Sequence, residues 1–218
     1  MRKLLVANRG EIAVRLLRAG AEAGLETVTV HSEDDARCLH VRRADAAVAL
    51  PGRGARAYLD IEAVVAAAVD AGADAIHPGY GFLSENAAFA RACEAAGLVF
   101  VGPTAEQLEL FGDKLAARAL ARRLGVPLLP GTEGATSLEE ARAFLAAQDG
   151  DPVMIKAVAG GGGRGIRPVA DPGELDEAWA RCASEAEASF GDGGLYVERA
   201  LGRPRHVEVQ IVGDGRGT

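Results

Sequence analysis

Short apolar runs alternate with stretches in which apolar residues return every three to four positions, and this alternation sets the architecture of the first half of the chain. Residues 4–7 form an apolar run that ends at Asn8-Arg9-Gly10. Helical spacing follows in Ile12, Leu16, Ala19 and Ala23, with Gly24 as a stop. Residues 27–31 predict a second strand. The pattern repeats as a helix carrying Ile61, Val64, Val65 and Ala68, a strand over 73–76, a helix near 87–96 closed by Gly97, and a strand over 98–101. Apolar strands of this kind, separated by helices, imply a parallel sheet covered on both faces. Thr104-x-x-Gln107 is a capping box that opens the next helix. A doubly wound α/β layer is therefore expected over about residues 1–110.

The texture then changes. Residues 114–124 have helical character and end at Gly125, and Val126-Pro127-Leu128-Leu129-Pro130-Gly131 is a stiff linker. Ser137-x-x-Glu140 is a second capping box, beginning a helix to about Gln148. Residues 153–157 predict a strand, a glycine loop follows over 160–165, Asp171-Pro172 starts a helix through Trp179, and 195–198 predict another strand. Residues 206–212 alternate strictly, with His206, Glu208 and Gln210 on one face and Val207, Val209 and Ile211 on the other, so a strand is expected there too. Gly213-Asp214-Gly215 suits a hairpin turn whose second strand is expected beyond Thr218, as if the chain were cut inside a domain.

Composition narrows the function classes. The net charge is −7 with basic residues scattered among acidic ones, against a nucleic-acid partner. No apolar run approaches a membrane span. Cys38, Cys93 and Cys182 are odd in number and lack a C-x-x-C pair, which reads as reduced thiols in a cytoplasmic protein. Of the 24 basic residues only Lys3, Lys114 and Lys156 are lysine. In a chain with this preference for arginine, an internal lysine marks a place where a compact ammonium is wanted.

The strongest chemical feature is Lys156-Ala157-Val158-Ala159-Gly160-Gly161-Gly162-Gly163-Arg164-Gly165. Consecutive glycines let backbone N–H groups converge on an anion. A Walker A loop would place the lysine after the glycines, whereas here it precedes them on a strand, an arrangement suited to a phosphate lid. Asn8-Arg9-Gly10-Glu11 stands where a dinucleotide fold carries three glycines and has only one, so a tight turn with Arg9 paired locally competes with ligand contact. His77-Pro78-Gly79-Tyr80-Gly81-Phe82-Leu83-Ser84-Glu85-Asn86 follows the end of a predicted parallel strand, where such sheets bind ligands, though a turn and a helix cap would also explain it. Glu198, at a strand end, is an acceptor suited to an adenine amino group, with Arg199, Ala200 and Leu201 as hinge and apolar wall.

Together the 5–13 run, the 77–86 run, Gly112-Asp113-Lys114, the Lys156–glycine segment and Pro204-Arg205-His206-Val207-Glu208-Val209-Gln210 resemble biotin carboxylase, in that order and along essentially the whole chain. The resemblance implies an α/β fold: a Rossmann-like domain over 1–112, then the first part of an ATP-grasp domain over 113–218, with a glycine-rich lid subdomain over about 131–203. It implies that ATP activates bicarbonate as carboxyphosphate and that the carboxyl group passes to N1 of biotin on a carrier protein. Lys114 and Lys156 would contact phosphates, Gly162 and Gly163 would lie in the lid, Glu198, Arg199, Ala200 and Leu201 would hold adenine, and His206 the ribose. Departures are Arg199 in place of the lysine common after that glutamate, and Val158-Ala159 in place of Ser-Gly before the glycines.

The Mg²⁺ carboxylates, the bicarbonate site and the catalytic arginine are expected beyond Thr218, so no catalytic or metal-ligating residue is assigned here. The implied partners are a biotin carboxyl carrier protein or domain and a carboxyltransferase, in an acyl-CoA or related carboxylase such as acetyl-CoA carboxylase of fatty acid biosynthesis, with a homodimer at full length. The alternatives are another ATP-grasp ligase, of the carbamoyl-phosphate synthetase or purine-pathway type, and a non-catalytic nucleotide-binding module.

Overall fold

The computed structural model describes residues 1–159 and 164–213. The chain divides into two compact units, Met1–Gly112 and Asp113–Thr218. In the first, β1 (Lys3–Val6), α1 (Gly10–Glu22), β2 (Glu26–His31), α2 (Leu39–Arg43), β3 (Ala46–Ala49), α3 (Ile61–Asp70), β4 (Ala75–His77), α4 (Ala87–Ala95), β5 (Val99–Phe100) and α5 (Ala105–Gly112) follow one another. All five strands are parallel, in the order β3-β2-β1-β4-β5. Leu5, Val28 and Ile76 pack with Tyr58, Val64 and Phe89 on one face, and Leu4, Val6 and Ala75 pack with Ala13 and Leu17 on the other. The sheet is thus covered on both sides, as its unbroken apolar strands require. The predicted strands are all present, with ends shifted by a residue or two. The pattern missed β3, because Ala46-Ala47-Val48-Ala49 is too small and too exposed to stand out.

Two buried polar groups fix the carboxyl end of this sheet. Asn8 is fully buried and donates its amide to the carbonyls of Pro78 (2.6 Å) and Tyr80 (3.0 Å), while its oxygen accepts from the N–H of Arg9 (2.8 Å). The loop after β4 is thereby tied to the end of β1. Arg9 is paired within the unit: its guanidinium donates to Asp35 at 2.7 Å and lies over the Tyr58 ring. Asp35 is buried, which works against its charge, yet hydrogen bonds from Tyr58 and Arg9 prevail and hold its carboxyl below the usual range. Burial and the same carboxylate push the Tyr58 phenol up to about 12. Local pairing therefore accounts for Arg9, at the rim of a cavity of about 320 Å³ lined by Gly10, Glu11, Ile12, Cys38 and Phe82.

In the second unit, α6 (Lys114–Arg123), α7 (Leu138–Ala146), β6 (Val153–Ala157), β7 (Ile166–Val169), α8 (Leu175–Phe190) and β8 (Leu195–Arg199) form an antiparallel sheet, β7-β6-β8, with helices. Val153, Ile155, Ala157, Leu195 and Val197 share one face and pack on Leu175, Cys182 and Ala186 of α8 and on Ala141 and Leu145 of α7. Both predicted capping boxes form: Thr104 with Gln107, and Ser137 with Glu140. Asp113 caps α6 by accepting from the N–H groups of Leu115 and Ala116.

The strand expected over 206–212 is not formed. These residues have no regular structure, and Val207, Val209, Ile211 and Val212 are exposed. Alternation prepares a face, but a strand needs a neighbour to bond to, and no described strand lies beside this segment. The expected turn at Gly213-Asp214-Gly215 falls mostly outside the described residues. Among those described, no helix is long and apolar enough to cross a membrane.

Gly79 tests how tightly the first unit's sheet end is built. Its φ is +70°, and a Cβ there would stand 2.6 Å from Ile12 Cγ2 and 2.9 Å from Asn8 Nδ2. Strain and overpacking add, so Gly79→Ala should lower stability by roughly 2–4 kcal/mol in chemical denaturation. A loss below about 0.5 kcal/mol would show that the Asn8 tie adjusts freely.

Candidate nucleotide-phosphate site

The antiparallel sheet of the second unit has one apolar face, against α7 and α8, and one polar face. Period-two alternation puts Met154 and Lys156 of β6 on the polar side, opposite Glu198 and Tyr196 of β8 in register. Lys156 therefore leaves the sheet from the strand that runs into the glycine segment, with its ammonium directed at the Glu198 carboxylate. Arg118 of α6 reaches the same carboxylate from the other side, with Nη1 donating to Oε2 at 3.0 Å. The Glu198 side chain is only 7% exposed, so it is a carboxylate held out of water by two cations, one on each oxygen. A buried carboxylate deprived of such partners costs about 3–5 kcal/mol, so the pairing accounts for the burial.

The surrounding main chain is drawn in closely. Thr132 N–H donates to Val197 O (2.9 Å) and Arg199 N–H to Pro130 O (2.8 Å), so the linker lies along the free edge of β8. Gly131 pairs with Glu198 there, and a Cβ at Gly131 would come within 2.8 Å of Val197 O and 2.9 Å of Glu198 Cβ. Only glycine lets the backbone approach this far.

Lys114 occupies the first position of α6, set there by the Asp113 cap, and its Nζ donates to the carbonyl of Ala157 at 3.4 Å. It thus stands beside the end of β6, where the glycine segment begins. Burial, and then the charge of Lys156, push the Lys114 ammonium below its ordinary pKa. The two internal lysines singled out by composition are therefore brought together, near enough for one to destabilise the charge of the other.

The remaining predicted positions are placed as follows. Gly162 and Gly163 lie outside the described residues. Arg199 N–H goes to the carbonyl of Pro130 on the free edge of β8 and Ala200 N–H to that of Pro152, extending the pairing with β6, and Leu201 follows, half exposed. His206 is not brought to this site; it is exposed and its Nε2 lies 2.9 Å from Glu208. Arg118 was not anticipated. One arginine among many carries no composition signal, and only its position four residues after Lys114, on the same helix face, could have pointed to it.

The donor set suits a polyphosphate: two ammonium groups near the end of β6, with a third cation, Arg118, on the same carboxylate as Lys156. It does not suit a divalent metal. Glu198 is engaged by cations, and among the described residues no cluster of three His, Cys, Asp or Glu side chains could hold an ion.

Comparison with known proteins places both units in a family context. Residues 1–108 match the family described as biotin carboxylase, N-terminal domain, and residues 113–218 match the ATP binding domain of the carbamoyl-phosphate synthase L chain. The chain is 49% identical to the biotin carboxylase of a Nostoc species over 99% of its own length and 48% of that protein. It is 48% identical to the pyruvate carboxylase of Bacillus subtilis over 100% of its own length and 19% of that protein. The biotin carboxylase domain dimer of the Hydrogenobacter thermophilus 2-oxoglutarate carboxylase, solved with MgADP, ADP and bicarbonate, superposes with a TM-score of 0.86 at 44% identity, over 92% of this chain and 44% of that one. The chain thus spans about half the length of the biotin carboxylases it matches. With both units matched in order, and with close to half of all positions identical to such enzymes, the chain belongs to the biotin carboxylase family.

Proposed function

We propose that this chain supplies the phosphate-gripping part of a biotin carboxylase, in which ATP activates bicarbonate as carboxyphosphate and the carboxyl group is passed to N1 of biotin. The observation that carries this reading is the convergence of Lys114 and Lys156 at the end of β6, where the glycine segment starts. Two like charges are held together, at a cost to one of them, most simply when an anion joins them. Phosphoryl transfer is largely positioning and charge neutralisation, so a site of this composition fits the first step. On the resemblance, Glu198, Arg199, Ala200 and Leu201 would hold adenine, and Gly162 and Gly163 would belong to the lid over the phosphates. His206 is assigned to the ribose on the resemblance alone.

Mg²⁺, when bound with ATP, would neutralise phosphate charge, and its carboxylate ligands are to be sought outside the site described. Biotin presented on a carrier protein or domain, a carboxyltransferase as the next enzyme, and a homodimer as the working assembly are inferred from the family. The dimeric Hydrogenobacter domain with its MgADP and bicarbonate supports the dimer and the nucleotide and bicarbonate substrates. The three cysteines are free, which supports a reducing compartment such as the cytoplasm. The carbamoyl-phosphate synthase description of the second unit keeps a related ligase in view, but the first unit and the named relatives favour biotin as acceptor.

Titration of the chain with ATP should show binding that Lys156→Ala weakens by tenfold or more, the size of one lost charge-assisted contact (about 1.5–3 kcal/mol). Equal binding by the variant would remove the phosphate assignment. The chain alone should give no turnover with free biotin, bicarbonate and MgATP in a steady-state assay, and turnover would show that the catalytic set is already present.

A pH dependence follows from Lys114. Burial and Lys156 disfavour its ammonium in the free chain, whereas a polyphosphate favours it, so its pKa rises on binding. ATP affinity should therefore fall as pH rises through the depressed pKa of the free chain, with proton uptake on binding in that range. Calorimetry in buffers of different ionisation enthalpy would detect the uptake, and Lys114→Met should abolish it.

A further inference from the structure

Arg118 lies one helical turn after Lys114, on the same face of α6, and its side chain is 15% exposed. Three contacts fix it. Nη1 donates to Glu198 Oε2 at 3.0 Å, Nη2 donates to the carbonyl of Leu129 at 3.1 Å, and the guanidinium lies over the Tyr196 ring at 5.8 Å from its centre. The other Glu198 oxygen accepts from Lys156. The lysine proposed to grip phosphate is thus paired with a buried carboxylate.

We propose that Arg118 is a positioning residue of the nucleotide site: by neutralising Glu198 it leaves the charge of Lys156 free to act on a triphosphate. This rests on the reading of Lys156 as a phosphate contact and deepens it. With Arg118 present, Glu198, Arg118, Lys156 and Lys114 carry a net charge of about +2 toward an incoming anion. With Arg118 removed, Glu198 has Lys156 as its one remaining partner among these groups, and the lysine charge is cancelled where a phosphate would need it. An ammonium has three donors and could bridge carboxylate and phosphate together, but its attraction for the phosphate would be offset by the carboxylate beside it. A guanidinium suits this supporting role. It is planar and always charged, and here its second fork is held by a backbone carbonyl, so it does not follow the nucleotide.

The effect depends on the phosphate tail, which gives the test. ATP and adenosine are titrated against the whole chain by displacement of a fluorescent ATP analogue, for wild type, Arg118→Met, Arg118→Lys, Glu198→Gln and the double variant Arg118→Met/Glu198→Gln. Arg118→Met should weaken ATP about tenfold, as expected for one charge-assisted contact, while adenosine changes by less than about twofold. Arg118→Lys, which retains the charge, should stay within about threefold of wild type for ATP. In the double variant no carboxylate competes for Lys156, so ATP affinity should return to within about threefold of the Glu198→Gln single variant. Unchanged ATP affinity in Arg118→Met, equal loss of ATP and adenosine, or failure of Glu198→Gln to rescue would each overturn the proposal, the last two assigning Arg118 a purely structural part. If wild type bound no ATP, or Lys156→Ala bound it equally well, the phosphate reading itself would fall and this inference with it, a result distinct from the other three.

Discussion

The second unit is organised around one buried carboxylate. Glu198 sits where a β strand ends, out of water, and an ionised group can remain there only if cations meet it. Those cations come from different parts of the chain: Lys156 from the central strand of the sheet and Arg118 from α6. The carboxylate therefore ties together a helix, a sheet and the linker between Leu129 and Thr132, and the same contacts decide where the lysine ammonium stands. The need to satisfy a buried charge and the need to place a phosphate-binding charge meet in the same atoms.

The first unit shows the same economy with different chemistry. Its parallel sheet is an ordinary layered core, and its specificity of shape comes from Asn8, which ties the loop after β4 to the end of β1, and from Asp35, which takes up Arg9 and Tyr58. These groups are buried and hydrogen-bonded, the condition under which polar residues make a structure unique. Asn8 and Arg9 thus both have partners within the unit.

Much of this is legible in the sequence. Uninterrupted apolar runs between helices signalled the parallel sheet, because burial on both faces leaves no room for alternation. Capping boxes at Thr104 and Ser137 marked helix starts through a local mechanism that needs no tertiary context. The scarcity of lysine singled out Lys114 and Lys156. The failures were equally physical. Residues 206–212 have strand alternation and no strand beside them, so a sound local pattern gave a wrong element. β3 is too small and too exposed to announce itself. Arg118 escaped notice because its importance lies in what it touches, 80 positions away in the chain, and pairings at that separation leave no trace in local spacing.

The close approach at Gly131 limits how such a site can diversify. The edge of β8 at Glu198 is bonded to the main chain of Pro130 and Thr132, and at Gly131 between them there is no room for a side chain to be exchanged. Position 118 is a neighbouring point where a side-chain change alters the local field directly. Lineages that adjust how firmly they hold their nucleotide would be expected to register that history in α6, while the glycine stays silent.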